Sequence, residues 1–313
     1  MHHGSDKDLP SKKSSKITVS SSLERLRVTL DLSHEKWAEM LGVTKKDYDQ
    51  ICSSKKEPSA LTIMNLAEKL GLNFESIIQN KIDYAAVAAR MSGNQNYIPE
   101  HFMVGALSKR RTSINVLDYV EDFHGWRTKL RLLREFNMSE AAFSNPDELI
   151  SIQFLMNICE HLIQNGHSPN ELYAMGSYSV ITNQNSPIGQ KLRSIVDLAE
   201  IYEVTFTDLS PNYYDRNFNY RLLNLDWTNG RCSVEAAPSE EGKDALKTHR
   251  VGSKYLCMLR AGTFSSLVGY QYLPFSVVDE VSCIHRGDSA CIYEIGFERA
   301  LHLKSQGHSH TTH

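Results

Sequence analysis

The stretch 279-DEVSCIHRGDSAC-291 decides how the C-terminal part of this chain is read. The run SVVDEVSC has the alternation of a strand, the Gly-Asp pair marks a turn, and CIYEIGF is the returning strand. Such a hairpin sets Cys283 beside Cys291. Glu280 stands three residues before Cys283, so a regular strand would point the two to opposite faces. A bulge, or the turning end of the strand, is needed to bring them to one point. Cys257 opens the helical run CMLRAGTFSSLVGYQYL, which would pack on this sheet, and a helix start favours a thiolate. Three thiolates and one carboxylate form a closed tetrahedral set for Zn²⁺, with Zn–S about 2.3 Å and Zn–O about 2.0–2.2 Å. With no position left for a catalytic water, the expected ion is structural and fastens helix to hairpin. The alternative is that these cysteines are small core hydrophobes; the spaced four-residue set favours metal. Cys52, Cys159 and Cys232 have no such company and read as core or helix-face residues.

Outward from the hairpin, strand patterns begin near residue 218 with FNYRLLNLDW, turn at TNG, and continue in RCSVEAAP. Residues 81–210 carry longer amphipathic helical patterns, such as VLDYVEDFHGWRTKLRLLREF and NPDELISIQFLMNICEHLIQNG. Residues 21–80 carry shorter ones separated by capping residues. The expected fold is therefore multi-domain, α plus α+β: an N-terminal five-helix domain, a helical middle, and a C-terminal antiparallel sheet with packed helices. Residues 1–20 and 301–313 are polar and are expected to be a disordered arm and tail.

At 313 residues, 41% of them hydrophobic, the chain can fill the cores of more than one domain. A formal charge of −3 and an isoelectric point near 6.5 do not advertise a polyanionic partner for the chain as a whole, so any such surface must be local. There is no apolar signal core and no run of about 18 apolar residues, which points to a cytoplasmic protein with no membrane partner. Six cysteines in such a chain suit cores or metal sites better than a disulfide framework.

In the N-terminal part, Ser33 is placed to cap a helix carrying Trp37, Ala38 and Leu41 inward, Gly42 to end it, and Thr44 to cap the next. With the Arg27 position, LSHEKWAEMLGVT, Ile51, Pro58 and LAEKLGL, about 60 residues resemble the helix-turn-helix domain of the Cro/C1-repressor (XRE-like) family. The resemblance implies DNA binding through a second helix over Lys45–Cys52, with His34, Lys45, Lys46, Tyr48 and Asp49 toward bases and Lys55 and Lys56 toward phosphate. The sequence departs from that family where its usual Glu and Gly after this helix become Cys52 and Ser54. This leaves Arg27 without its usual carboxylate and the helix without its usual left-handed cap. Asp47 and Asp49 also offset Lys45 and Lys46.

The C-terminal part, NYRLLNLDWTNGRCSVEA followed by CMLRAGTFSSLVGYQYLPFSVVDEVSCIHRGDSACIYEIGF, resembles the 4-vinyl reductase domain, also found as the sensing region of phenol- and xylene-responsive bacterial activators. In those sensors the metal ligands follow the spacing matched here by Cys257, Glu280, Cys283 and Cys291. The likeness implies a small-molecule sensor over residues 81–300, with a helical half at 81–210 and an α+β half at 211–300. The Tyr-x-Ser-x-Arg signature of haem nitric-oxide sensors of related fold is absent, and Tyr178-Ser-Val does not supply it.

A pocket for an apolar or aromatic ligand could draw on Phe102, Tyr119, Phe123, His124, Trp126, Phe154 and Tyr173 from the helical part. Trp126 and His124 are the candidates for orienting a polar group, and ordinary core packing is the alternative for each ring. His285 in the hairpin turn is read as solvated. No phosphate-cradling loop, HExxH or nucleophile elbow occurs, so no enzyme is expected. The functional expectation is a homodimeric one-component transcriptional regulator that binds DNA and a small hydrophobic ligand. The alternative is a dimeric assembly protein whose helix-turn-helix no longer reads DNA.

Overall fold

The computed structural model describes residues 18–308, and the chain divides into two compact units after Asn94. Among its described residues the first unit has six helices: α1 (Val19–Thr29), α2 (His34–Leu41), α3 (Lys45–Cys52), α4 (Ala60–Leu70), α5 (Phe74–Ile78) and α6 (Tyr84–Met91). Side-chain oxygens of Thr18, Ser33, Thr44 and Ser59 accept from backbone N–H groups in the first turns of α1 to α4. Gly42 (φ 68°) and Gly71 (φ 63°) end α2 and α4 in the left-handed region. Leu26, Trp37, Leu41, Ile51, Leu66 and Ile77 meet in one core.

Two expectations change here. The expected boundary at residue 80 moves to Asn94, because α6 buries Val87 in this first core and Arg25 stacks 4.3 Å over the Tyr84 ring. Of the segment expected to be a disordered arm, Thr18 caps α1 and the helix begins at Val19, while residues 1–17 lie outside the described residues.

The left-handed cap after α3 survives without glycine. Ser54 takes φ 55°, and Lys55 N–H then donates to the Gln50 carbonyl at 2.9 Å. For an L-residue this conformation costs about 1–2 kcal/mol, while glycine adds about 0.4–1 kcal/mol of unfolded-chain entropy. Ser54→Gly is therefore expected to stabilise the first unit by about 0.5–1 kcal/mol. A rise in its urea midpoint checks this; a fall would show that the serine is held by something beyond backbone geometry.

In the second unit a 3-10 turn (Glu100–Phe102) precedes β1 (Ala106–Lys109), α7 (Arg111–His124), α8 (Trp126–Glu135) and β2 (Leu149–Ser151), followed by α9 (Ile152–Gln164) and α10 (Pro169–Ser177). β1 and β2 pair antiparallel, so the helical middle also holds a small sheet, and Gly125 (φ 87°) separates α7 from α8. Next come α11 (Ser179–Thr182), α12 (Pro187–Ser194), α13 (Leu198–Val204) and a π-helix over Thr205–Tyr214. Then follow β3 (Phe218–Asp226), β4 (Arg231–Pro238), α14 (Glu240–Leu246), α15 (Lys254–Ser265), β5 (Val277–Ser282), β6 (Cys291–Gly296) and α16 (Glu298–His308). α16 extends into the segment expected to be a tail, whose residues 309–313 lie outside the described residues.

The four-stranded sheet has the order β3-β4-β6-β5, antiparallel throughout. α15 is the hinge of the packing. Its Leu256 and Leu259 belong to a core shared with α7, α8 and α9, while Cys257, Ala261 and Phe264 belong to a core against the sheet. Phe264 meets Tyr293 of β6 edge to face at 5.1 Å. The helical middle and the sheet are thus two halves of one unit. No helix among the described residues is long and apolar enough to cross a membrane.

Candidate metal centre

Cys257 lies in the first turn of α15, which Ser253 caps through Leu256 N–H. Cys291 starts β6, and Cys283 follows β5 with its N–H bound to Asp288 at 2.7 Å. The β5–β6 register shifts between Glu280 and Ser282, and this irregularity turns Glu280 toward the sulfurs. One ligand atom from each of Cys257, Glu280, Cys283 and Cys291 lies within 4.8 Å of the others.

The sulfur separations are 3.6 Å (Cys257–Cys291), 3.9 Å (Cys257–Cys283) and 4.0 Å (Cys283–Cys291). A disulfide would need about 2.05 Å. Tetrahedral thiolates at a Zn–S distance of about 2.3 Å stand about 3.8 Å apart, which matches the trio. Glu280 Oε2 accepts from Arg286 at 3.2 Å, whereas buried Oε1 has no hydrogen-bond partner. A carboxylate oxygen of Glu280 makes the fourth possible donor, so the cluster could hold a metal ion.

Charge in the cluster is unevenly shared. The hydrogen bond from Cys257 brings the Cys291 thiol down to about 6 against the opposing effect of burial, with Arg260 assisting. The same hydrogen bond, together with burial, pushes Cys257 far up, and burial pushes Cys283 up to about 11. A divalent cation would take the place of the protons still held. His285 is half-buried rather than solvated; its Nε2 lacks a partner, and burial beside Arg260 holds its pKa down.

The remaining cysteines stay apart from the cluster. Cys159 and Cys232 are buried core thiols and Cys52 is exposed. A second convergence, His124, His167 and Glu171, lies nearer the surface. Both oxygens of Glu171 are occupied, by His124 Nε2 at 2.6 Å and His167 Nδ1 at 3.0 Å, so these groups satisfy one another.

A cavity of about 80 Å³ lies against α15. Its lining includes the apolar Ile152, Leu155 and Leu259 and the polar Thr205, Asp215 and Arg260. The aromatic residues expected to form a pocket are not in its lining. Phe102 and Phe154 pack edge to face at 5.0 Å inside the helical core, and Tyr173 packs against the sheet core. Tyr119 stacks on Phe123 at 4.4 Å; Phe123 and Trp126 are exposed, and His124 is held by Glu171. Helical periodicity identifies an inward face but not which of two cores, or which cavity, that face meets.

In the first unit, Arg27 finds a carboxylate that the sequence pattern did not single out. Glu24, one turn earlier, binds it at 2.6 Å and also accepts from Tyr48 Oη at 2.7 Å. Tyr48 is consequently buried, not available to bases. Lys45 is paired with Glu35 and Lys56 with Asp47, each at 2.5 Å. His34, Lys46, Asp49 and Lys55 are exposed.

No family model matches this chain, and no curated protein matches it. Among solved structures it is similar to the Fe(II) unliganded H-NOX protein from K. algicida, at 10% identity and a TM-score of 0.41 over 60% of this chain and 95% of that one. A single-site mutant of the same protein matches at 11% identity, with the same TM-score and coverage.

Proposed function

We propose that this chain is a one-component transcriptional regulator and not an enzyme. The first unit acts as a helix-turn-helix DNA reader of the Cro/C1 (XRE-like) kind. The second acts as a 4-vinyl reductase-like sensor of a small hydrophobic molecule, clamped by structural Zn²⁺. The observation that carries the reading is the convergence of Cys257, Glu280, Cys283 and Cys291 at the spacing of a tetrahedral thiolate site. Four protein donors close the coordination sphere, so the ion serves the fold while the ligand binds elsewhere. The protein works in the cytoplasm as a homodimer, whose recognition helices must span half-sites about 34–36 Å apart. A ligand that binds one dimer geometry better than another shifts that spacing by population.

Exposed Lys46 and Lys55 are the cations best placed for phosphate. Neutralising both, as Lys46→Ala with Lys55→Ala, is expected to weaken binding to all duplexes alike and to flatten the log–log salt dependence by about 2. Binding isotherms at low and moderate salt test this. A dimer that binds no duplex at any ionic strength ends the DNA-reading proposal.

A second reading is favoured by the ion pairs Lys45–Glu35 and Lys56–Asp47, which take two lysines out of the basic surface. In that case the first unit serves assembly, and the salt dependence of DNA binding would be absent from the outset.

A further inference from the structure

Arg260 is 6% exposed, lines the cavity beside α15, and has an Nη1 with no hydrogen-bond partner. Its guanidinium lies 3.9 Å over the Phe218 ring and 5.7 Å from that of Tyr220, contacts that stabilise a cation. Thr205 Oγ1, from the π-helix, is also buried without a partner and lines the same cavity. Unsatisfied donors of this kind are costly in a folded interior, and two of them bordering one cavity call for an acceptor inside it. π-Helices recur at ligand sites.

The charges around Arg260 decide what kind of acceptor fits. Asp215 lines the same cavity, and its Oδ1 already accepts from Ser108 Oγ (3.1 Å), Asn217 N–H (2.8 Å) and Asn217 Nδ2 (2.6 Å). Asp215 thus brings a carboxylate to the cavity that Arg260 also lines, while Nη1 has no hydrogen-bond partner. A ligand carboxylate would add a second buried negative charge beside Asp215, whereas a carbonyl oxygen accepts from Nη1 and adds none.

We propose that the cavity binds a small neutral molecule with an apolar body and one carbonyl oxygen, that oxygen accepting from Arg260 Nη1 and the body lying against Ile152, Leu155 and Leu259. This rests on the sensor reading above and specifies its ligand class and its anchor. Because Arg260 and Cys257 share one face of α15, occupancy of the cavity bears on the helix that holds the metal.

The test compares methyl propyl ketone, butyrate and pentane as probes of the full-length, metal-loaded protein, by saturable shifts in melting temperature and by calorimetric titration. Ketone and butyrate match in size and differ in charge; pentane lacks the oxygen. The expected result is ketone binding at least tenfold tighter than either of the others, with Arg260→Met reducing the ketone to the level of pentane. Leu155→Phe, which narrows the cavity without touching the anchor, is expected to abolish binding of all three; unchanged ketone binding in that variant would place the site elsewhere and overturn the proposal. Equal binding of pentane and ketone would overturn the anchor while leaving a small-molecule sensor in place. Preference for butyrate would overturn the neutral class. Absence of saturable binding by all three would overturn this proposal, and DNA binding of the same preparation then reports separately on the regulator reading.

Discussion

With the proposed Zn²⁺ in the cluster, Cys291→Ser is expected to lose the ion and with it much of the stability of the second unit. Elemental analysis of the purified chain should give about one zinc for the wild type and close to none for the variant. The stabilising effect of an ion bound only to the folded state is about 4 kcal/mol when its free concentration is a thousand times the dissociation constant, and a chelator should remove the same amount from the wild type. The cluster geometry makes this more than a general core effect. The three sulfurs stand 3.6–4.0 Å apart and buried Glu280 Oε1 has no other partner, so losing one donor opens a tetrahedron rather than a disulfide. Cys232→Ser is the control. Cys232 sits on β4, in the same sheet and equally buried, but outside the cluster; it should lose stability as a core thiol does and keep its zinc. Wild-type melting unmoved by chelation, with no zinc in the protein, would remove the metal from the account.

The second large effect is at the crossing of α10 and α15. A Cβ at Gly176 would lie 1.9 Å from the Leu259 carbonyl oxygen, and one at Gly262 would lie 1.9 Å from the Tyr173 carbonyl oxygen. The two helices therefore approach backbone to backbone, each glycine receiving the other helix. Ser177 Oγ donates to the Gly262 carbonyl at 3.2 Å and Thr263 Oγ1 to the Gly176 carbonyl at 3.3 Å across the seam. No flexible side chain can yield, so a methyl group must push the helices apart. Gly176→Ala and Gly262→Ala are each expected to cost about 3 kcal/mol, the upper range for overpacking, measured as a lower denaturant midpoint. The double variant should cost less than the sum, because one separation of the helices accommodates both methyls. Unchanged midpoints would mean that the seam is looser than the backbone positions imply. α15 carries both Cys257 and Arg260, so a shift at this seam should also weaken zinc retention.

Features coded by neighbours along the chain were readable in advance. Ser33 and Thr44 cap their helices because the bond closes within one turn, and Gly42 ends α2 because its φ of 68° suits a residue without Cβ. Strand alternation around the Gly-Asp turn was enough to pair β5 with β6, and the three-residue step from Glu280 to Cys283 already demanded the irregularity seen in their register. Cys257 could be joined to this hairpin from sequence because ligand chemistry restricts which residues are able to meet. Glu24 is not legible as the partner of Arg27, since a carboxylate one turn before it has the look of any exposed helix residue, and the left-handed Ser54 carries no glycine to mark it.

By itself, then, the amino-acid order determined the caps and ends of α2 and α3, the final ribbon and the four residues that converge beside it, all of which depend on periodicity, caps and a small set of side-chain types. Only the tertiary structure decided that α6 closes the first core, that the aromatic residues of the helical middle pack or face outward instead of lining the cavity, and that Gly176 and Gly262 are mutual points of contact. The reason is the range over which each fact is set. Local geometry repeats every few residues and leaves its trace in composition, whereas the meeting of α10 with α15, or of Thr205 with Arg260 at one cavity, depends on many weak contacts between distant segments that no single residue type announces.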